Sequence, residues 1–95
     1  MLFMVIERFR NGDPMPVGER YKRLGRMLPE GLTYHASWLN LSGSQCFQIM
    51  ETLEAGVLDT WISRWDDLAD FEVVPVLAST DFWATREPFG SSPAV

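Results

Sequence analysis

His35 is the one histidine in the 95-residue chain, and a side chain that titrates near neutrality is the natural place to look for acid–base chemistry or haem ligation. Arg8, Gln48 and Glu72 are the polar residues that strands would bring toward it. Together the four would supply a base or proton donor, groups that stabilise an anionic intermediate, and a carboxylate. Their convergence depends on strand register, because a slip of one residue sends every side chain to the other face. His35 reads equally as a hydrogen-bonded interior or interface histidine, since spacing fixes no second catalytic group beside it. Cys46 has no cation or helix N-terminus next to it in sequence that would lower its thiol pKa, so it reads as a small buried residue rather than a nucleophile. His35, Cys46, Glu51 and Glu72 contain no short-spaced ligand pair. No metal and no cofactor are expected.

The aromatic residues Tyr34, Trp38, Trp61, Trp65 and Trp83 offer flat surfaces for an organic ligand. Trp61 and Trp65 share a helical stripe and belong to a core. Tyr34 and Trp38 share one strand face and, with Met50, are the candidate ligand-binding residues. Asp66, Asp67, Asp70 and Glu72 follow the C-terminal end of a helix, where negative charge opposes the macrodipole. They read either as a site for a cation or a partner's arginine, or as solvated surface. Arg20, Lys22, Arg23 and Arg26 form a wet helix face that can dock an anion or pair with that acidic end.

The elements that must position these residues follow from patterning. Leu2 to Phe9 is apolar on both faces, as in a central strand. Asn11-Gly12-Asp13-Pro14 gives a turn, an Asp N-cap and a proline at the start of a helix with the stripe Val17, Tyr21, Leu24 and Leu28, ended by Pro29 and Gly31. Leu32 to Leu39 alternates as a strand, with Leu32, Tyr34, Ala36 and Trp38 opposing Thr33, His35, Ser37 and Leu39. A turn at Leu41-Ser42-Gly43-Ser44 leads into the strand Gln45 to Glu51. Thr52 caps a second helix with the stripe Val57, Leu58, Trp61, Ile62, Trp65 and Leu68. Phe71 to Leu77 is an edge strand, because Pro75 cannot donate a ladder hydrogen bond. Ser79 to Arg86 adds a short helix. The order β-α-β-β-α-β predicts an α+β, ferredoxin-like fold with an antiparallel sheet of order 4-1-3-2 and both helices on one face. Residues 1–86 are expected to form one domain and 87–95 a flexible tail.

A single domain of this length buries roughly 60 to 70% of its unfolded surface. Four Trp, six Phe and two Tyr exceed what so small a core readily hides. The uncovered sheet face would carry Met4, Ile6, Met50, Val74 and Val76 beside His35, Cys46 and Gln48, so a second copy is expected to cover it and make a homodimer. A formal charge of −5 disfavours nucleic acid and anionic membrane surfaces as partners. No apolar run approaches the roughly 18 residues of a membrane span. One cysteine excludes an internal disulfide and suits a reducing cytoplasm.

The strings MLFMVIERF, GRMLPEGLTYHASW, CFQIMET and WDDLADFEVVPV resemble those of a family of short bacterial proteins classed as domain of unknown function 3303. The resemblance covers nearly the whole chain. It implies a dimeric α+β barrel and brings no catalytic residues to carry over. The wider superfamily, similar in element order, spans cofactor-free oxygenases, isomerases, haem-degrading enzymes and binding modules. Enzyme readings need convergent polar groups, which are few in this sequence, so the expected function is a small-molecule binding or interaction module. The alternative is a cofactor-independent monooxygenase- or isomerase-like enzyme acting on a small aromatic or apolar substrate in the barrel interior, with His35 as base or proton donor. A third reading is a structural part of a larger assembly.

Overall fold

Local chemistry sets the elements. The computed structural model describes residues 1–86, and the expected tail at 87–95 lies outside the described residues. Strand β1 (Leu2–Phe9) runs into a short turn, and helix α1 (Met15–Leu24) follows. Asp13 Oδ1 accepts the Met15 N–H at 3.0 Å, which satisfies one of the free donors of the first turn. The helix stops four residues short of the expected Leu28. Gly25 takes φ +70° and Met27 φ +57°, and left-handed backbone cannot continue a right-handed helix.

Strands β2 (Thr33–Leu39) and β3 (Gln45–Glu51) form a hairpin. Asn40 closes it, its Oδ1 accepting the Gln45 N–H and its carbonyl the Gly43 N–H. Thr52 does not cap the next helix directly. Its hydroxyl accepts the Glu54 N–H in a tight turn, and helix α2 (Ala55–Ile62) begins one residue later. Strand β4 (Ala69–Val76) starts two residues earlier than expected, and helix α3 (Ser79–Ala84) ends the described chain.

The strands pair antiparallel in the order β2-β3-β1-β4, the expected ferredoxin-like topology with Pro75 on an edge strand. Phe3, Val5, Met50, Leu58, Trp61 and Trp65 form the core between the sheet and α2. Trp61 meets Phe71 edge-on at 5.8 Å. α1 buries none of its residues and rests on the sheet through the partly buried Val17.

The two faces of the sheet sort differently from expectation at β3. Cys46, Gln48 and Met50 are buried on the helix side, so they are not on the open face, where Phe47 and Ile49 stand instead. Met4, Ile6, Val74 and Val76 do lie on the open face. In β2 the register shifts between Tyr34 and Ala36. This bulge places Tyr34 opposite Met50 on the helix side, whereas Trp38 opposes Phe47 on the open side. Tyr34 and Trp38 therefore do not share a face.

Candidate functional site

Glu7 follows Phe3 and Val5 along β1 at the strand period of two, so its carboxylate is directed under the helices, where it is 6% exposed. Gln48 is carried to the same side by β3 and is 2% exposed. The two residues are diagonal neighbours in the ladder, Glu7 opposing Cys46 and Gln48 opposing Val5. Gln48 Nε2 donates to Glu7 Oε1. Gln48 Oε1 accepts from Arg26 Nη1 at 3.1 Å. A guanidinium only donates, so the amide oxygen must face Arg26 and the amide nitrogen must face Glu7. Donor chemistry alone thus fixes a chain from Arg26 through Gln48 to Glu7.

Arg26 reaches this place because α1 ends early. The backbone reverses through Gly25 and Met27, and the Arg26 carbonyl then accepts the indole N–H of both Trp61, at 2.9 Å, and Trp65, at 3.2 Å. Arg64 Nη1 donates to the Met27 carbonyl at 2.8 Å. α2 and the turn after it therefore hold the loop. The Arg26 guanidinium lies 3.6 Å from the centroid of the Tyr34 ring and 5.3 Å from that of Tyr21. The Tyr34 hydroxyl is in turn bonded to Ser37 Oγ at 2.7 Å.

Between this chain of polar groups and α1 lies a cavity of about 330 Å³. Glu7, Gln48, Arg26 and Cys46 give it a polar wall, and Phe9, Tyr21, Trp61 and Trp65 an aromatic one. Burial pushes the Glu7 carboxyl up from 4.5 to about 7, against the opposing pull of the Arg26 charge and the Gln48 hydrogen bond. A carboxyl so placed can take or give a proton at neutral pH. Burial and the Glu7 charge push the Cys46 thiol up to about 11, with Arg26 opposing. Cys46 therefore stays a thiol, as its sequence setting implied. A second, more open hollow of about 570 Å³ is lined by Met1, Pro75, Val76, Leu77, Ser79, Phe82 and Trp83 and carries no charged side chain among these residues.

The four residues first singled out do not meet. Arg8 and Glu72 pair at 2.9 Å on the open face. His35 is also on that side, bonded to Glu51 Oε1 at 2.8 Å. Glu51 opposes Leu2, whereas Arg8 opposes Gln45, so the two pairs lie six residues apart along the sheet, about 20 Å. Gln48 is on the opposite face. Of the ligand-binding candidates, Tyr34 supports Arg26, Met50 is fully buried in the core, and Trp38 is exposed on the open face. No group of three or more metal-ligating side chains occurs among the described residues. α2 ends at Ile62, so the acidic run lies beyond it; in the turn before β4, Arg20 forms a two-pronged bond to Asp67 at 2.7 Å and holds its carboxyl below the usual range. Arg10 pairs with Asp70 at 3.2 Å.

Glu7 and Arg26 carry the site; sequence reasoning passed over Glu7, and it placed Arg26 on a wet helix face that could dock an anion rather than beside Gln48 in the cavity. The available signal for Glu7 was its phase: Phe3, Val5 and Phe9 share its side of β1.

No curated protein matches the chain. Among solved structures, the crystal structure of SCO4226 from Streptomyces coelicolor A3(2) is similar, with a TM-score of 0.50 and 17% identity over 82% of this chain and 100% of that one. At that identity the likeness concerns the fold alone. The model of DUF3303, a domain of unknown function, matches residues 1–89, which take in every strand and helix that positions the cavity, and the chain belongs to that family.

Proposed function

We propose that the protein is a small-molecule binding module whose ligand sits between the sheet and α1. The observation that carries this reading is the cavity of about 330 Å³, which Phe9, Tyr21, Trp61 and Trp65 line together with the buried Glu7 and Gln48 and the half-buried Arg26. A few polar groups converging in an otherwise apolar hollow are what orient an organic ligand. The ligand is thereby assigned to the helix side of the sheet, not to a lumen between two sheets. Amide NMR of the full chain against a panel of bicyclic aromatic compounds tests it. Saturable shifts should appear at Glu7, Arg26, Gln48 and the indole N–H groups of Trp61 and Trp65. Shifts confined to the hollow beside α3 would sink the reading.

The Glu7 carboxyl, poised near 7, favours a second reading: a cofactor-independent isomerase- or monooxygenase-like enzyme that moves a proton on a small aromatic or apolar substrate. Glu7 then takes the role first assigned to His35. Loss of turnover in Glu7→Gln with ligand affinity retained would separate enzyme from binder.

The open sheet face supports a homodimer. Met4, Ile6, Phe47, Ile49, Val74 and Val76 form its apolar centre, Trp38 is 57% exposed beside them, and the Arg8–Glu72 and His35–Glu51 pairs edge it. An apolar centre with a polar rim suits a two-fold contact. Among the described residues no helix is long and apolar enough to cross a membrane, and the unpaired, buried Cys46 thiol suits a reducing cytoplasm.

A further inference from the structure

We infer that the pocket takes a planar aromatic carboxylate, whose charged oxygens are received by Arg26 and whose arrival draws a proton onto Glu7. The inference rests on the pocket reading above and names the class of ligand.

Arg26 is the reason for the negative charge. The ion pairs of the described residues engage Arg8, Arg10, Arg20 and His35, and none engages Arg26. Among the described residues its side chain makes one hydrogen bond, to Gln48. Four of the five guanidinium N–H donors are thus free for a ligand, and adjacent pairs of them match the two oxygens of a carboxylate. The Tyr34 and Tyr21 rings hold the guanidinium plane, and the two indoles hold the backbone behind it. A receptor fixed in this way loses little freedom when it binds.

The aromatic body follows from Phe9, Tyr21, Trp61 and Trp65, which line the cavity together with the polar groups. A fused pair of rings suits a space of this volume.

The proton follows from charge balance. The groups around Glu7 are Gln48 and Cys46 from β3, Arg26 from the loop after α1, Tyr21 from α1, and the indoles of Trp61 and Trp65. Among the described residues that line the cavity Arg26 is the only cation, and Cys46 holds its proton up to about pH 11. With Glu7 ionised, the pair is already neutral. An incoming carboxylate would leave a buried excess negative charge, and protonation of Glu7 removes it. At pH 8, with its pKa at about 7, Glu7 is about nine-tenths ionised in the free protein, so uptake approaches one proton there.

Calorimetric titration of the full chain with 2-naphthoate and with neutral naphthalene-2-carboxamide, at pH 8 in phosphate and in Tris, tests this. The difference between buffers counts protons. Naphthoate should bind at least about tenfold tighter than the amide, with uptake of close to one proton. Glu7→Gln should bind naphthoate with no proton uptake. Arg26→Met should lose the preference for the acid while still binding the amide. Arg26→Lys, which keeps the charge without the paired donors, should retain the proton uptake and bind naphthoate more weakly than the native chain. Equal affinity for acid and amide, or naphthoate binding without proton uptake by the native protein, would overturn the inference and leave the pocket reading standing. Binding of neither compound would remove the pocket reading and the inference with it.

Discussion

Replacing Glu7 by glutamine should make the protein more stable at neutral and alkaline pH, and the size of the gain follows from the geometry. Unfolded, the Glu7 carboxyl ionises at its ordinary value of 4.5; folded, it does so at about 7. Between these values the native state holds a proton that the unfolded state has released. Stability must therefore fall as pH rises through that window and level off above it. At 1.36 kcal/mol per pH unit, the separation corresponds to about 3 kcal/mol. With 6% of the residue exposed, solvent screening relieves little of this. Glutamine keeps the oxygen that accepts from Gln48 Nε2 and carries no charge to desolvate.

Urea unfolding of both proteins at pH 5, 6, 7 and 8 measures the effect. The native chain should lose about 2.5 kcal/mol more than the variant between pH 5 and 8, since pH 5 already lies above the unfolded value, with the slopes against urea unchanged. In thermal melts the difference at pH 8 is on the order of 10 to 20 °C for a domain of this length. Comparing the two proteins cancels every group they share, His35 and its Glu51 partner included. Parallel stability profiles across the window would refute the argument that Glu7 is ionised at a desolvation cost.

Further outcomes follow from the same arrangement. Cys46 should react with iodoacetamide at pH 8 about 100-fold more slowly in the folded chain than in urea, because burial and the Glu7 charge hold its thiol at about 11; equal rates would contradict that environment. Trp61→Phe should cost about 3 kcal/mol in urea unfolding, since it empties part of a site that is 1% exposed and removes the shorter of the two indole bonds to the Arg26 carbonyl. A neutral effect would mean that the loop does not depend on α2. Ile49→Glu, on the open face, should turn a dimer into a monomer by light scattering. A native chain already monomeric at tens of micromolar would dispose of the two-fold contact.

The element order was legible because its signals are local. The turn before α1, the Gly43 turn and the edge position of Pro75 each depend on a few adjacent residues, and the structure has all three, although the helix starts one residue later than expected, with Pro14 rather than Asp13 at its N-cap. Strand phase was less legible for a physical reason. β1 and β3 are apolar on both sides, Phe3 and Val5 against Met4 and Ile6, Met50 against Phe47 and Ile49, so alternation shows two faces without saying which one the helices cover. The bulge after Tyr34 adds a reversal of phase within β2 that alternation cannot show.

The site was hidden by a longer-range dependence, and the end of α1 is where it begins. Had the stripe Val17, Tyr21, Leu24 and Leu28 continued as one helix, Arg26 would have stayed among Lys22 and Arg23 on the wet side. Left-handed backbone at Gly25 and Met27 breaks that continuation, and the indoles of Trp61 and Trp65 hold the reversed chain by one carbonyl. Only then can the guanidinium lie against Tyr34 and reach Gln48. Glu7 depends on the same event, because a carboxyl buried this deeply without a charge or hydrogen bond directed at it would be costlier still. The two tryptophans therefore act twice: their rings complete the core against Phe71 and Leu58, and their N–H groups set the cation that makes the buried carboxyl tolerable. A stripe of apolar residues reports the first role and is silent on the second, because the partner of both indoles is a backbone carbonyl 35 and 39 residues away.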